Sequence, residues 1–231
     1  MKKSIFKLAM LCSLAAVSCF GFSSTALAED ASKLKNVAIV SISVSDVGGS
    51  VQGGSIGSTP VSKLISDAVN TMVDDAEKKL GTKWNVVKVS SFIDNADYRK
   101  PSVEKTLTLF VPQVNGKEMP VFTQVSKEIK GGILDAEKAK ELCKALNVDG
   151  VVLIFSEWAS KTGGFVPTTK ALTKNILTVW DGSGNKVIYK RVDTVGNKTL
   201  GVGGFKAVNE ETINEWRDSY NRSLDEILKS L

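Results

Sequence analysis

The loop between the first predicted strand and the first predicted helix contains a pattern that could support nucleophilic chemistry. Gly53-Gly54-Ser55-Ile56-Gly57 matches G-x-S-x-G, the sequence around the serine nucleophile of many hydrolases. Such a serine needs a base to take its proton, normally a histidine, and the sequence contains no histidine. The pattern also begins about eight residues after the strand end at Val44, whereas a nucleophile follows its strand directly. We therefore predict no catalytic residue and no enzymatic activity.

The same loop could instead bind a small anion or a carbohydrate. Glycine-rich backbone in front of a helix can present N–H groups to a ligand. The residues that would take part are Gly53, Gly54, Ser55, Gly57, Ser58 and Thr59. A second glycine-rich stretch, Thr194 to Phe205, would form the other wall of this site. Because the loop lacks the G-K-[ST] and G-x-G-x-x-G patterns of nucleotide sites, a loop that only leads into a helix is the favoured interpretation.

Metal and thiol chemistry have little support in the sequence. Of the three cysteines, Cys12 and Cys19 lie in the N-terminal segment, so a processed chain would keep only Cys143. Without histidine and with one thiol, the usual zinc and iron sites cannot form, and we predict neither a metal nor a cofactor. Cys143 lies on the apolar face of a predicted helix, where burial is the simpler interpretation. The acidic pairs Asp74-Asp75 and Glu210-Glu211 also lie on predicted helices, where a solvated face explains them.

The N-terminus has the pattern of an export signal. Lysines follow Met1, an apolar run extends from Leu8 to Phe22, and Ala26-Leu27-Ala28 supplies the small residues that a signal peptidase recognises. We predict a signal peptide at residues 1–28 and a mature domain at 29–231, whose net charge falls from +5 to +2 because three lysines are removed. So small a charge indicates no nucleic-acid surface. The apolar run is shorter than the ~20 residues of a membrane span, and no second run follows it.

Lipidation is the alternative to soluble export into the periplasm. Ala16-Val17-Ser18-Cys19 loosely matches a bacterial lipobox, in which Cys19 would become the lipidated first residue and anchor the protein in the outer membrane. The first position of that motif is usually leucine and here it is alanine. The A-x-A site before Glu29 matches its own pattern better, so cleavage after Ala28 is the favoured prediction.

Periodic apolar residues predict strands that alternate with helices. The predicted strands are 36–44, 84–89, 151–158, 171–180 and 186–192, and the predicted helices are 60–80, 136–146 and 210–231, the last two capped by Asp135 and Asn209. The predicted fold class is therefore α/β: a single layered domain with a mixed sheet of about five strands, helices packed on it and a C-terminal amphipathic helix.

The middle of the chain, residues 91–132, shows no clear period. It could form a hairpin around Asn115-Gly116, with Pro112 and Pro120 restricting its strands to an edge. It could equally be an irregular excursion that contacts a partner. We expect partner contacts to use residues 98–128 together with the loops 46–59 and 161–168.

The stretch from Leu142 to Trp158, LCKALNVDGVVLIFSEW, resembles the helix-to-strand step A-x-x-L-G-V-D-x-V-V-x-G of a group of bacterial envelope proteins. The group includes the N-terminal domain of TolB, the CsgG-like curli-export lipoproteins and the LpoB-like activators of penicillin-binding proteins. The likeness covers residues 36–90 and 135–192, and Asn147 stands where the group usually has glycine. The resemblance implies a small α/β domain without catalysis that contacts other envelope proteins or assembles with copies of itself.

Together these observations predict an exported, non-enzymatic envelope protein that acts as an adaptor or assembly component. The alternative prediction is a periplasmic binder of a small anion or carbohydrate through the glycine-rich loops.

Overall fold

The computed structural model describes residues 33–45, 55–56, 59–105, 109–202 and 208–231. They form a mixed sheet covered by helices. The elements in chain order are β1 Asn36–Ser45, β2 Ser55–Ile56, β3 Thr59–Pro60, α1 Val61–Asn70, α2 Met72–Leu80, β4 Asn85–Val87, α3 Val89–Phe92, α4 Ala96–Arg99, β5 Leu109–Phe110, β6 Gln113–Val114, β7 Lys117–Glu118, α5 Ser126–Gly131, α6 Ala136–Leu146, β8 Gly150–Gly163, β9 Thr168–Asp181, β10 Lys186–Val202 and α7 Glu210–Lys229. The predicted signal peptide and Cys19 lie outside the described residues.

The main sheet has the strand order β10-β9-β8-β1-β4, and β5 pairs with the end of β1. β4 and β8 run parallel to β1, whereas β9 and β10 are antiparallel to their neighbours. This confirms the predicted α/β class with a mixed sheet of about five strands and a C-terminal helix. The parallel centre is buried on both faces, since every residue from Val37 to Val44 and from Gly150 to Ser156 is buried.

Two helical layers cover the sheet, as the side chains of β8 show. Trp158 stacks on Trp216 of α7, with ring centroids 6.3 Å apart. Phe155, three residues earlier and so on the opposite face, lies in a second apolar cluster with Val111 and Ile129. The structure therefore has α7, α1 and α2 on one side, where both α1 and α2 contact α7, and the helices from α3 to α6 on the other.

The C-terminal helix forms as its sequence predicts. The Asn209 side chain accepts a hydrogen bond from the backbone N–H of Thr212, whose hydroxyl accepts in turn from the backbone of Asn209. Six of the seven residues of its predicted apolar stripe are buried, namely Ile213, Trp216, Tyr220, Leu224, Ile227 and Leu228. Leu231, the last of the stripe, is exposed. Burial of this stripe against β9 and β10 holds α7 on the sheet.

Several predicted boundaries are wrong. The strand expected at 151–158 continues to Gly163, which shortens the loop expected at 161–168. The helix expected at 60–80 is divided at Thr71 into α1 and α2, and α1 begins at Val61 with Pro60 as its N-cap residue. The strand expected at 84–89 is limited to Asn85–Val87, because Val89 already begins α3. The strand expected to end at Val192 continues to Val202.

The segment 91–132 packs on the sheet. The hairpin at Asn115-Gly116 is confirmed: both residues have positive φ, 51° and 74°, in the turn between β6 and β7. Tyr98 and Phe122 are buried, and the Tyr98 hydroxyl donates to the backbone carbonyl of Val40 at 2.7 Å. These contacts make much of the segment 91–132 part of the core, so it does not project from the domain as an irregular excursion would.

Candidate functional site

The predicted glycine-loop site lies mostly outside the described residues. Gly53, Gly54, Gly57 and Ser58 are among the residues that the structure does not describe, and the side chains of Ser55 and Thr59 belong with them. The backbones of Ser55 and Thr59 form the short antiparallel ladder β2–β3, which leads directly into α1.

The second wall of that predicted site is not a loop. From Thr194 to Val202 the chain is strand β10, paired with β9, and only the remainder of the stretch up to Phe205 lies outside the described residues. The prediction that a glycine-rich loop at Thr194 to Phe205 forms the second wall of a binding site is therefore wrong from Thr194 to Val202.

The loop does leave the sheet at a place where α/β proteins commonly bind ligands. The chain crosses from β1 to β4 through α1 and α2 on one face, and from β4 to β8 through α3 to α6 on the other. The carboxyl ends of β1 and β8 are thus the topological switch point of the sheet. Sequence analysis missed this position, although the alternating serines of β1, Ser41 and Ser43, were its signal.

A narrow pocket of about 20 Å³, partly open to solvent, lies beside these serines on the face opposite α7. It is lined by Ser41, Ser43, Val121, Phe122, Thr123, Glu128, Ile129, Gly132, Ile133, Leu153, Ile154 and Phe155. Ser41 donates to the carbonyl of Pro120 at 2.9 Å, and the Thr123 hydroxyl donates to Glu128. Among these lining residues Glu128 alone is ionisable, and its carboxylate disfavours an anionic ligand.

Cys143 is buried, as its place on the helix predicts. Its thiol is 4% exposed and lies 3.9 Å from the carbonyl oxygen of Trp180. Burial, together with the negative charges of Asp181 and Asp149, raises the pKa of the Cys143 thiol to about 12. The thiolate is therefore scarce at neutral pH, and this residue is not equipped to act as a nucleophile.

One residue of each acidic pair, Asp75 and Glu211, has a structural partner. Asp75 accepts two hydrogen bonds from the guanidinium of Arg217, at 2.9 and 3.2 Å, and joins α2 to α7. Glu211 pairs with Lys198 at 3.2 Å. In the part of the chain that the structure describes, no three acidic or cysteine side chains converge to hold a metal ion. The turn after β9 is closed by Asp181, whose carboxylate accepts from the backbone of Ser183 and Asn185.

The residues that carry the resemblance also have structural roles. Asn147 ends α6 with φ 51° and ψ 52°, the left-handed conformation that glycine adopts most easily and asparagine next. Asp149 accepts hydrogen bonds from the backbone N–H groups of Lys35 and Asn36, at 3.0 and 2.7 Å, and so aligns the start of β1 with β8. These hydrogen bonds, those from Asn36 first, hold the pKa of Asp149 below its ordinary value.

An exposed apolar surface lies at one end of the sheet. Phe165 and Val166, in the turn between β8 and β9, are 105% and 59% exposed, and Val202 at the end of β10 is 54% exposed. Thr168 pairs with both Gly163 and Val202, which places Val202 beside the turn. We call Phe165, Val166 and Val202 the hairpin end.

The hairpin end stands on a rigid support. β8 and β9 pair without a break from Gly150 and Asp181 to Gly163 and Thr168, so the turn is carried by two long strands. The predicted contact loop 161–168 contains two of its three residues. Tyr98, Met119 and Phe122, from the predicted contact segment 98–128, are buried and cannot reach a partner.

None of the described helices is both long enough and apolar enough to cross a bilayer.

No family model matches the chain, and no curated protein does either. Among solved structures, a hypothetical protein from Chlamydia trachomatis aligns with a TM-score of 0.39 and 12% identity over 85% of this chain and 95% of its own. A lipoprotein from Neisseria meningitidis aligns with a TM-score of 0.32 and 9% identity over 84% of this chain and 99% of its own. Both are bacterial, and the likeness is one of fold alone. The finer resemblance to TolB-, CsgG- and LpoB-like proteins stays a prediction.

Proposed function

We propose that this chain is an exported, non-enzymatic protein of the bacterial envelope that binds other proteins through the hairpin end, as an adaptor or assembly component. The observation that carries the proposal is the exposure of Phe165 and Val166 at the tip of a long, fully paired hairpin. Burying a phenylalanine side chain contributes about 1.5–3 kcal/mol. Because the paired strands already fix the backbone on both sides of the turn, binding has little backbone freedom to remove there, which favours Phe165 as an anchor.

The non-enzymatic part of the proposal rests on the chemistry of the side chains. The sequence has no histidine to act as a base. Cys143 is buried with a raised pKa, and the serines beside the pocket have only Glu128 nearby, whose carboxylate already accepts from Thr123. Export rests on the signal pattern of residues 1–28. Mass spectrometry of the mature protein tests it: we expect an N-terminus at Glu29, and a lipid on Cys19 would support the anchored form instead.

Photocrosslinking in intact cells tests the adaptor role. A photoreactive phenylalanine at position 165 should crosslink to a defined protein partner, and the same group at position 125 should not. Val125 is the control, because it is an exposed apolar side chain outside the hairpin end, 53% exposed and so comparable to Val166 at 59%. Equal labelling at both positions, or no protein adduct at position 165, would contradict the proposal.

Substitution supplies a second measurement. Phe165→Ser should abolish the crosslinked complex when the photoreactive group is moved to Val166. It should leave the free energy of unfolding within about 0.5 kcal/mol of the wild-type value, because the side chain is fully exposed. If Phe165→Ser lowered the free energy of unfolding as well as abolishing the crosslinked complex, Phe165 would be a stabilising residue of the fold instead of a contact for a partner.

A second candidate function has one observation in its favour. The carboxyl ends of β1 and β8 form the switch point of the sheet, a position at which α/β proteins commonly bind small ligands. The carboxylate of Glu128 lies in the narrow pocket beside this position, so a neutral carbohydrate is favoured over an anion. Thermal shift against monosaccharides and oligosaccharides tests this: a rise in Tm that Glu128→Gln removes supports it, and no rise with any of them excludes it.

A further inference from the structure

We propose that the free edge of β10 binds an extended, acidic segment of a partner protein, which adds to the sheet as a further strand. This surface is separate from the hairpin end, so an experiment can refute either proposal without refuting the other.

The two edges of the sheet differ in a way that singles out β10. The opposite edge ends in β4, a strand of 3 residues, which offers little backbone to a further chain. β10 has 17 residues and contains no proline. A long edge strand without proline presents a row of unpaired N–H and C=O groups, the template on which another chain can pair.

One half of this edge is already closed by α7. Arg222 donates to the carbonyl of Val195 and to the side chain of Asn197, both at 2.9 Å. The buried carboxylate of Glu215 accepts from the backbone N–H of Lys198 at 3.1 Å. The pairing with β9 also shifts register between Val195 and Thr199. From Val195 onward, therefore, the edge of β10 is bulged, and some of its backbone groups already bond to side chains of α7.

The other half is regular and open. From Ile188 to Val195 the pairing with β9 is unbroken. Within the described parts of the chain, no hydrogen bond joins the backbone of Ile188–Thr194 to any residue outside the sheet. This stretch of about seven residues extends for roughly 23 Å, enough for a strand of ordinary length.

The charge of the open half selects the occupant. Arg191 is already paired with Asp193 at 3.1 Å. Lys190 donates to the backbone carbonyl of Ser230 at 3.0 Å, and Lys186 lies over the ring of Tyr189, so both lysines keep a positive charge without an acidic partner among the described residues. Lysines on an edge disfavour pairing with a second edge of like charge, and two copies of β10 would bring these cations together. An acidic strand would be attracted to this edge, because opposite charges on neighbouring strands attract, whereas a second copy of β10 would be repelled. The exposed ring of Tyr189 adds a surface on which an apolar side chain of the added strand can pack.

The experiment uses the full chain and a short fluorescent peptide of alternating glutamate and valine, with fluorescence anisotropy as the measurement. We expect saturable binding at low salt. N-methylation of alternate peptide nitrogens removes backbone donors but no charge, and should weaken binding by about tenfold, since each net hydrogen bond contributes modestly and several are lost. Binding that N-methylation leaves unchanged would overturn the proposal, because the attraction would then be ionic only. No binding at any peptide concentration reached would also overturn it.

Protein variants locate the contact. Lys186→Glu combined with Lys190→Glu should weaken binding by about fivefold or more, because two favourable charge pairs at half-buried lysines become repulsive. The control Lys161→Glu makes the same change on an exposed residue of β8 and should leave binding unchanged. Phe165→Ser should also leave it unchanged, which separates this proposal from the hairpin-end adaptor role. An equal loss in the control, or a peptide-free dimer that the double variant disrupts, would show that the acidic partner is wrongly assigned.

Discussion

Replacing Asp75 with asparagine should weaken the attachment of α7 to α2. The Asp75 carboxylate accepts from Arg217 through two nitrogen atoms and from the Asn221 amide at 2.9 Å. Asparagine has the same shape but no charge, and its NH2 group would face donors. The substitution therefore removes the ion pair and part of the hydrogen bonding while it keeps the volume.

The size of the effect follows from the exposure of the pair. The side chains of Asp75 and Arg217 are 22% and 32% exposed, so solvent screens their attraction only in part. Hydrogen bonds to charged groups contribute about 1.5–3 kcal/mol, and screening reduces this toward the lower part of the range. We expect the free energy of unfolding to fall by about 2 kcal/mol, which for a chain of this length corresponds to roughly 4–8 °C in Tm.

The effect should depend on pH in a defined direction. Burial alone would raise the pKa of Asp75, but hydrogen bonds from Arg217 and Asn221 and the charges of Arg217 and Lys79 outweigh it and hold the pKa below the ordinary 3.8. A carboxyl whose pKa is lower in the folded state stabilises the protein above its unfolded-state pKa, and that contribution is lost as the pH falls through the folded-state value. The difference between wild type and Asp75→Asn should therefore be full at neutral pH and shrink in acid.

Urea unfolding followed by tryptophan fluorescence measures both quantities. Asp74→Asn is the matched control, since it is the same change on the neighbouring residue of the same helix, whose side chain is exposed. It should alter the free energy of unfolding by less than about 0.5 kcal/mol. Equal losses for the two variants, or a loss for Asp75→Asn that persists undiminished in acid, would refute the reasoning.

Two further predictions concern single side chains. Asn147→Ala should lower the free energy of unfolding by about 1–2 kcal/mol, because alanine is strained at φ 51°, whereas Asn147→Gly should cost much less; urea unfolding of both variants checks this, and similar losses would contradict it. In a chain carrying Cys12→Ser and Cys19→Ser, Cys143 should resist a thiol reagent at neutral pH until denaturant is added, because its thiol is buried with a pKa of about 12; rapid labelling of the folded protein would contradict this.

Elements with strong local signals could be predicted from the sequence. α6 begins where Asp135 accepts hydrogen bonds from the backbone of Glu137 and Lys138, and α7 begins at Asn209, both as the capping pattern indicates. The Asn115-Gly116 turn likewise needs only two residues with positive φ. In each case the residues that determine the structure are adjacent in sequence.

The length of β10 could not be predicted, because Gly196 within it serves strand packing. A Cβ atom at Gly196 would lie 3.0 Å from the Cβ of Ala171, so glycine lets β10 approach β9 closely at this point. In the sequence such a glycine looks the same as one in a loop. Only the pairing with another strand distinguishes them.

The surface of the hairpin end was predicted only in part. The glycines and proline around Phe165 indicate a turn, and a turn is present, but the loop predicted at 161–168 is shorter because β8 continues to Gly163 and β9 begins at Thr168. The addition of Val202 depends on the register between β9 and β10, which no local pattern fixes. The segment 91–132 was obscure for a related reason: its helices and strands are too short to show a period, and distant contacts such as that of Tyr98 with Val40 determine their place.

The order of α7 and the strands has a consequence for folding. The apolar stripe of α7 covers one face of a sheet whose strands all precede this helix in the chain. Until α7 has docked, that face exposes apolar side chains to water, and a surface of this kind is prone to aggregation while the protein folds.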